Sequence, residues 1–156
     1  MRIWLTVVLA LVTLVYGAPP VGSADAPHGM YTPDTIKWGD APPNLPKGAK
    51  LAVLYGDPGK DGLFVIRAKL PANYKIPAHS HPTDEIVTVL SGTLMVGMGD
   101  KLAPASAKAF PAGSVIVASA KANHFVLTKQ PVVIEVSAMG PLQLTYVNPA
   151  DDPSKK

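Results

Sequence analysis

The chain has 156 residues, a net charge of +3 at neutral pH and no cysteine. Without cysteine there can be no disulfide, no thiolate metal site and no cysteine-linked lipid anchor. The basic residues are scattered, with only Lys155 and Lys156 adjacent, which excludes a nucleic-acid surface.

The sequence opens with Arg2, an apolar run from Ile3 to Tyr16, and the small residues Gly22, Ser23 and Ala24. A charged start, a short apolar core and a small-residue exit predict a secretory signal peptide over Met1–Ala24. The alternative is a membrane anchor, but the run is shorter than the ~20 residues a spanning helix needs. Cleavage after Ala24 leaves Asp25–Lys156, the size of one ordinary domain. It predicts a periplasmic or secreted protein with no membrane attachment once the leader is gone.

Residues 25–48 contain Pro27, Pro33, Pro42, Pro43 and Pro46, and read as an irregular arm. From residue 49 to 147 the text changes to short apolar or alternating runs broken by turn residues. Strands are predicted at Leu51–Tyr55, Leu63–Leu70, Glu85–Leu90, Thr93–Met98, Ser114–Ala118, His124–Thr128, Val132–Ala138 and Gln143–Val147. Ala103–Ala109 is assigned to a loop with room for one helical turn. Many short strands with Gly and Pro turns predict an all-β sandwich or barrel. Ser91-Gly92 is expected to be the tight turn of a hairpin, which would set Val87 opposite Val96 and Glu85 opposite Met98. Residues 148–156 are polar and proline-broken, and are expected to be a loosely ordered tail.

The chemistry concentrates in three of the chain's four histidines. His79 and His81 lie two apart on an extended segment, so both side chains point to one face. Glu85 follows four residues later, and His124 lies on a strand distant in sequence. Three imidazoles and a carboxylate make a strong ligand set for a borderline or hard divalent metal. His28 lies in the arm and receives no role.

These residues resemble the cupin superfamily, whose first motif is commonly written G-x5-H-x-H-x3-E-x6-G. The chain reads Asn73, His79, His81, Glu85 and Gly92 at those spacings, with Asn73 in place of the leading Gly. The second motif, G-x5-P-x-G-x2-H-x3-N, keeps Gly113 and His124, while Ser119, Lys121 and Thr128 replace Pro, Gly and Asn. The resemblance covers roughly Leu51 to Met139. It implies a small jelly-roll β-barrel. It also implies one divalent metal ion (Fe, Mn, Ni, Zn or Cu) held by His79, His81, Glu85 and His124. Cupins often dimerise, so a homodimer is expected.

If Glu85 faces inward, alternation places Val87, Val89, Leu94, Val96 and Met98 inward with it, and Val126 and Thr128 on the face of His124. Met98 and Val126 are the candidate substrate-binding residues. By the same rule Phe64, Ile66, Ala68 and Leu70 share an apolar face, and Arg67 and Lys69 point outward. Lys121 is read as a solvated turn lysine, or else as a cation at the mouth. No residue can be assigned as a catalytic acid or base, and Tyr146 and Arg67 are candidates without a warrant. The functional expectation is an exported mononuclear metal protein acting on a small oxygen-rich substrate as a dioxygenase, lyase or isomerase. The alternative is a non-catalytic module that binds or senses a small ligand. A structural protein with a vestigial site ranks third, because all four ligands are present.

Overall fold

The computed structural model describes residues 29–156. The leader expected over Met1–Ala24 lies outside the described residues, as does the start of the arm. No described helix is long and apolar enough to cross a membrane.

Period-two alternation dominates the described chain and gives eleven strands: β1 (Gly39–Asp40), β2 (Lys50–Tyr55), β3 (Gly62–Leu70), β4 (Lys75–Ser80), β5 (Glu85–Ser91), β6 (Thr93–Met98), β7 (Lys108–Pro111), β8 (Val115–Ala118), β9 (His124–Thr128), β10 (Val132–Gly140) and β11 (Thr145–Tyr146). They form two antiparallel sheets, ordered β1-β2-β3-β10-β5-β8 and β11-β4-β9-β6-β7. This is the expected all-β jelly roll. The two sheets share no strand, so the expected barrel is not closed.

The inward faces are those that alternation predicts. Phe64, Ile66, Ala68 and Leu70 on β3 are buried, as are Val87 and Val89 on β5 and Leu94 and Val96 on β6. Each of these side chains other than Ala68 contributes ~1.5–3 kcal/mol by leaving water. Arg67 and Lys69 point away from this core. Arg67 Nε donates to Glu135 on β10 at 2.8 Å, and the Lys69 ammonium sits 4.1 Å above the Trp38 ring.

The hairpin expected at Ser91-Gly92 does not form. β5 pairs with β8 and β10, whereas β6 pairs with β7 and β9. Ser91-Gly92 is an arch that carries the chain from one sheet to the other. Gly92 has φ +76°, and a Cβ there would stand 2.5 Å from the Pro131 carbonyl oxygen. The position therefore needs both positive φ and the absence of a side chain.

Two other expectations are corrected. The segment 103–109 gives a 3-10 turn at Pro104–Ser106 and then leads into a strand, β7, that the sequence reading placed in a loop. The tail expected to be loose forms two 3-10 turns, Pro149–Asp151 and Pro153–Lys155. The Asn148 and Asp152 side chains cap them by accepting from the Ala150 and Ser154 N–H groups, the usual role of Asn and Asp at a helix start.

The arm is irregular, as expected, apart from β1. Its segment 44–46 is tied to the sandwich by two buried tyrosines. Tyr146 donates its hydroxyl to the Asn44 carbonyl at 2.8 Å, and Tyr74 donates to the Pro46 carbonyl. Leu45, between these two anchors, reaches the internal cavity.

Candidate metal centre

The four candidate ligands meet at one end of the sandwich. His79 lies near the end of β4 and His81 directly follows it, while His124 begins β9 and Glu85 begins β5. His79 and His124 are directly paired across β4 and β9. The register of these strands shifts by one residue between Ile76 and His79. A bulge of this kind re-aims side chains, and here it keeps Ala78 and His79 both buried while His79 and His81 share a face.

All four residues are buried, and none is more than 7% exposed. The imidazoles of His79, His81 and His124 bring ligand nitrogens within 4.8 Å of one another. The His79 and His124 ring centroids are 4.4 Å apart. Glu85 stands beside this triple rather than within it, with a carboxylate oxygen 3.4 Å from His81 Nδ1.

Backbone carbonyls orient all three rings. His79 Nδ1 lies 2.7 Å from the Pro77 oxygen, His81 Nδ1 is 2.8 Å from the Gln143 oxygen, and His124 Nδ1 is 3.0 Å from the Ala122 oxygen. A carbonyl only accepts, so each Nδ1 carries the proton and each neutral ring keeps its Nε2 lone pair free. This is how metal-binding histidines are commonly prepared. None of these carbonyls was anticipated from the sequence.

Burial sets the protonation states. It lowers His79 to about 3, with the neighbouring His124 and His81 adding to the effect. It lowers His81 to about 4, against the opposing pull of the Gln143 carbonyl, and lowers His124 as well. Burial raises Glu85 to about 7; its neighbours on the two flanking strands are Ala118 and Ala138. The short His81–Glu85 contact is therefore not a conventional ion pair, because both groups are pushed toward their neutral forms.

Below the ligands lies a cavity of about 100 Å³. Its only polar lining comes from His79, His81, Glu85 and His124; the rest includes Ile66, Val87, Val96, Ile134 and Val136. Val126 lines it, as the sequence predicts. Met98 does not: it pairs with His124 rather than facing Glu85, and it is 64% exposed at the end of β6. Thr128 is buried, but its hydroxyl donates to the Pro71 carbonyl and accepts from the Tyr74 N–H. Tyr146 packs 6.0 Å from His79, centroid to centroid, with its hydroxyl engaged by the arm. Leu142 and Leu144 complete the wall on either side of Gln143.

The motif positions that depart from glycine keep glycine's geometry. Asn73 and Lys121 have φ of +57° and +63°, the only non-glycine residues with positive φ among those described. The exposed Lys121 closes the turn before β9 by donating its backbone N–H to the His81 carbonyl at 2.8 Å.

Two facing antiparallel sheets with a buried histidine cluster between them give the chain a cupin-type fold, shared with a solved RmlC-like cupin. The chain belongs to the family described as a domain of unknown function, DUF4437, whose model matches residues 30–145. No curated protein matches the sequence. Among solved structures, the polyketide cyclase RemF from Streptomyces resistomycificus aligns with TM-score 0.68 at 18% identity, covering 82% of this chain and 91% of that one. A putative acetylacetone dioxygenase from Methylibium petroleiphilum PM1 aligns with TM-score 0.61 at 21% identity, covering 81% and 85%. An RmlC-like cupin from Shewanella frigidimarina aligns with TM-score 0.57 at 13% identity, covering 73% and 91%. At these identities the likeness establishes the fold.

Proposed function

We propose that this chain is an exported mononuclear metal protein. His79, His81 and His124 hold one divalent ion through Nε2, and Glu85 completes the set. The observation that carries this reading is the convergence of three buried, neutral imidazoles whose Nδ1 atoms are all occupied by backbone carbonyls. The donor set suits Fe, Mn, Ni, Zn or Cu. The ion would supply Lewis-acid polarisation of a substrate oxygen or, for a redox metal, electron transfer. The residues of the chain orient that chemistry and exclude water from it.

We assign the protein to metal-dependent turnover of a small oxygen-bearing molecule, of dioxygenase, lyase or isomerase type. Two structural relatives, a polyketide cyclase and a putative acetylacetone dioxygenase, support an enzymatic reading. A second reading, non-catalytic ligand binding or sensing, is favoured by one observation. The cavity wall contains no titratable group apart from the four ligands.

Elemental analysis of protein recovered from its native compartment tests the centre. One equivalent of a divalent metal in the wild type and background metal in His81→Ala are expected. Equal metal content in both would overturn the assignment. The exported location rests on the leader at Met1–Ala24, and its test is an N-terminus at Asp25 in protein recovered outside the cytoplasm. A homodimer is the expected assembly, and a monomer by light scattering at micromolar concentration would overturn that expectation.

A further inference from the structure

We infer that the ligand of this site has an oxygen-donor head and an unsubstituted apolar body of about four or five carbons. The inference rests on the metal reading above and adds what the rest of the ligand must be. Polar and apolar parts of the cavity are strictly segregated. The four candidate ligands occupy one end, and two residues further along the same strands the wall is already Val87 on β5 and Val126 on β9. That step is roughly 6.7 Å, the reach of a ligand held at the histidines.

The wall below the ligands offers no partner for a hydroxyl. Thr128, the nearest inward hydroxyl on β9, is engaged by Pro71 and Tyr74. A hydroxyl buried there would lose its water without replacement, and each such group weakens binding by about tenfold or more. Sugars, sugar acids and other polyols are thereby disfavoured. A methylene entering the same space gains about fourfold in affinity. The volume sets the length: an apolar cavity of ~150 Å³ accepts benzene, so about 100 Å³ accepts a somewhat smaller body. The head is the part that would meet the ion at the polar end, with the apolar body extending away from it.

The test uses the full mature chain loaded with cobalt(II) and a ladder of hydroxamic acids sharing one two-oxygen head. Cobalt uptake is measured first, by elemental analysis and by visible absorption. Dissociation constants are then read from the absorption change for acetohydroxamate, butanohydroxamate, hexanohydroxamate and decanohydroxamate, with gluconohydroxamate as the polyol control. Affinity should rise about fourfold per methylene to hexanohydroxamate and fall at decanohydroxamate. Gluconohydroxamate should bind no tighter than acetohydroxamate. Val126→Phe should retain cobalt and flatten the rise, because the added ring fills the wall. A flat ladder on cobalt-loaded wild type overturns this inference and leaves the metal reading standing. So does gluconohydroxamate binding as tightly as hexanohydroxamate, or an unchanged ladder in a folded Val126→Phe variant. Failure to take up cobalt overturns the metal reading, and this inference with it.

Discussion

At the scale of single residues, burial and the backbone carbonyls put the three imidazoles in a form that could hold a metal ion. Burial holds His79 at about 3 and His81 at about 4, and lowers His124 too. Above pH 5 the His79 and His81 rings are therefore neutral, with Nε2 bare, and burial biases His124 the same way. Glu85, raised to about 7, still carries a proton on its ligating carboxyl at pH 6. Metal uptake at pH 6 should thus release about one proton rather than three or four, and almost none at pH 8. Calorimetric titration with zinc in buffers of different ionisation enthalpy measures that number. Release of two or more protons at pH 6 would show that the rings are not pre-emptied. His81→Ala removes the ring held by the Gln143 carbonyl. It should abolish the metal-dependent stabilisation, ~2.7 kcal/mol when free metal stands at a hundredfold of Kd, or on the order of 10 °C in melting temperature for a domain of this size. The four ligand candidates were legible in the sequence because side-chain identity and spacing carry them. The carbonyls of Pro77, Ala122 and Gln143 were not, because every residue has a carbonyl and only the fold says which one meets a ring.

At the scale of elements, alternation specified which face each strand buries but not which strand it pairs with. Val87, Val89, Leu94 and Val96 are buried as expected, although the hairpin used to place them is absent. The same alternating text satisfies an arch between two sheets equally well, so the error changed the neighbours and left the faces intact. Met98 shows the cost, since the wrong partner placed it across from Glu85 when it pairs with His124. β4 escaped the strand reading because its bulge at Pro77–Ala78 interrupts the alternation. β7 escaped because only Phe110 is even half-buried. The arch makes a specific demand on Gly92. Gly92→Ala places a Cβ against the Pro131 carbonyl at φ +76°, while Gly113→Ala, at φ +88°, meets nothing within 4 Å. Both substitutions carry the left-handed penalty of roughly 1–2 kcal/mol, and only Gly92→Ala adds a backbone collision. Gly92→Ala should therefore melt several degrees below Gly113→Ala in parallel thermal scans. Equal melting temperatures would mean that the arch relaxes freely and that the close approach to Pro131 contributes little.

At the scale of the whole molecule, the sandwich buries four ionisable groups in an otherwise apolar interior, and its stability without metal must register this. The histidines have folded values below their ordinary 6.5, so the unfolded chain binds more protons than the folded one as pH falls below 6.5. Their contribution is complete above 6.5 and is lost as the pH drops toward 3–4. Glu85 runs the other way. Its folded value of about 7 exceeds the ordinary 4.5, so its contribution is complete below 4.5 and is lost as the pH rises through 7. Between 4.5 and 6.5 three groups oppose one, and the histidines win. Metal-free protein should therefore lose stability steeply on acidification below about pH 6.5 and change little between pH 7 and 8, where the two contributions nearly cancel. Glu85→Gln separates the two contributions. It removes the opposing carboxyl without altering the rings, so the metal-free variant should show a steeper acid limb between pH 4.5 and 7 than the wild type. Urea unfolding of both metal-free proteins from pH 4.5 to 8 measures each limb. An acid limb that is flat in both would mean that the histidines gain water and protons without unfolding. The end of the sandwich that holds them would then be open to solvent rather than sealed by the loops carrying Gln143 and Lys121.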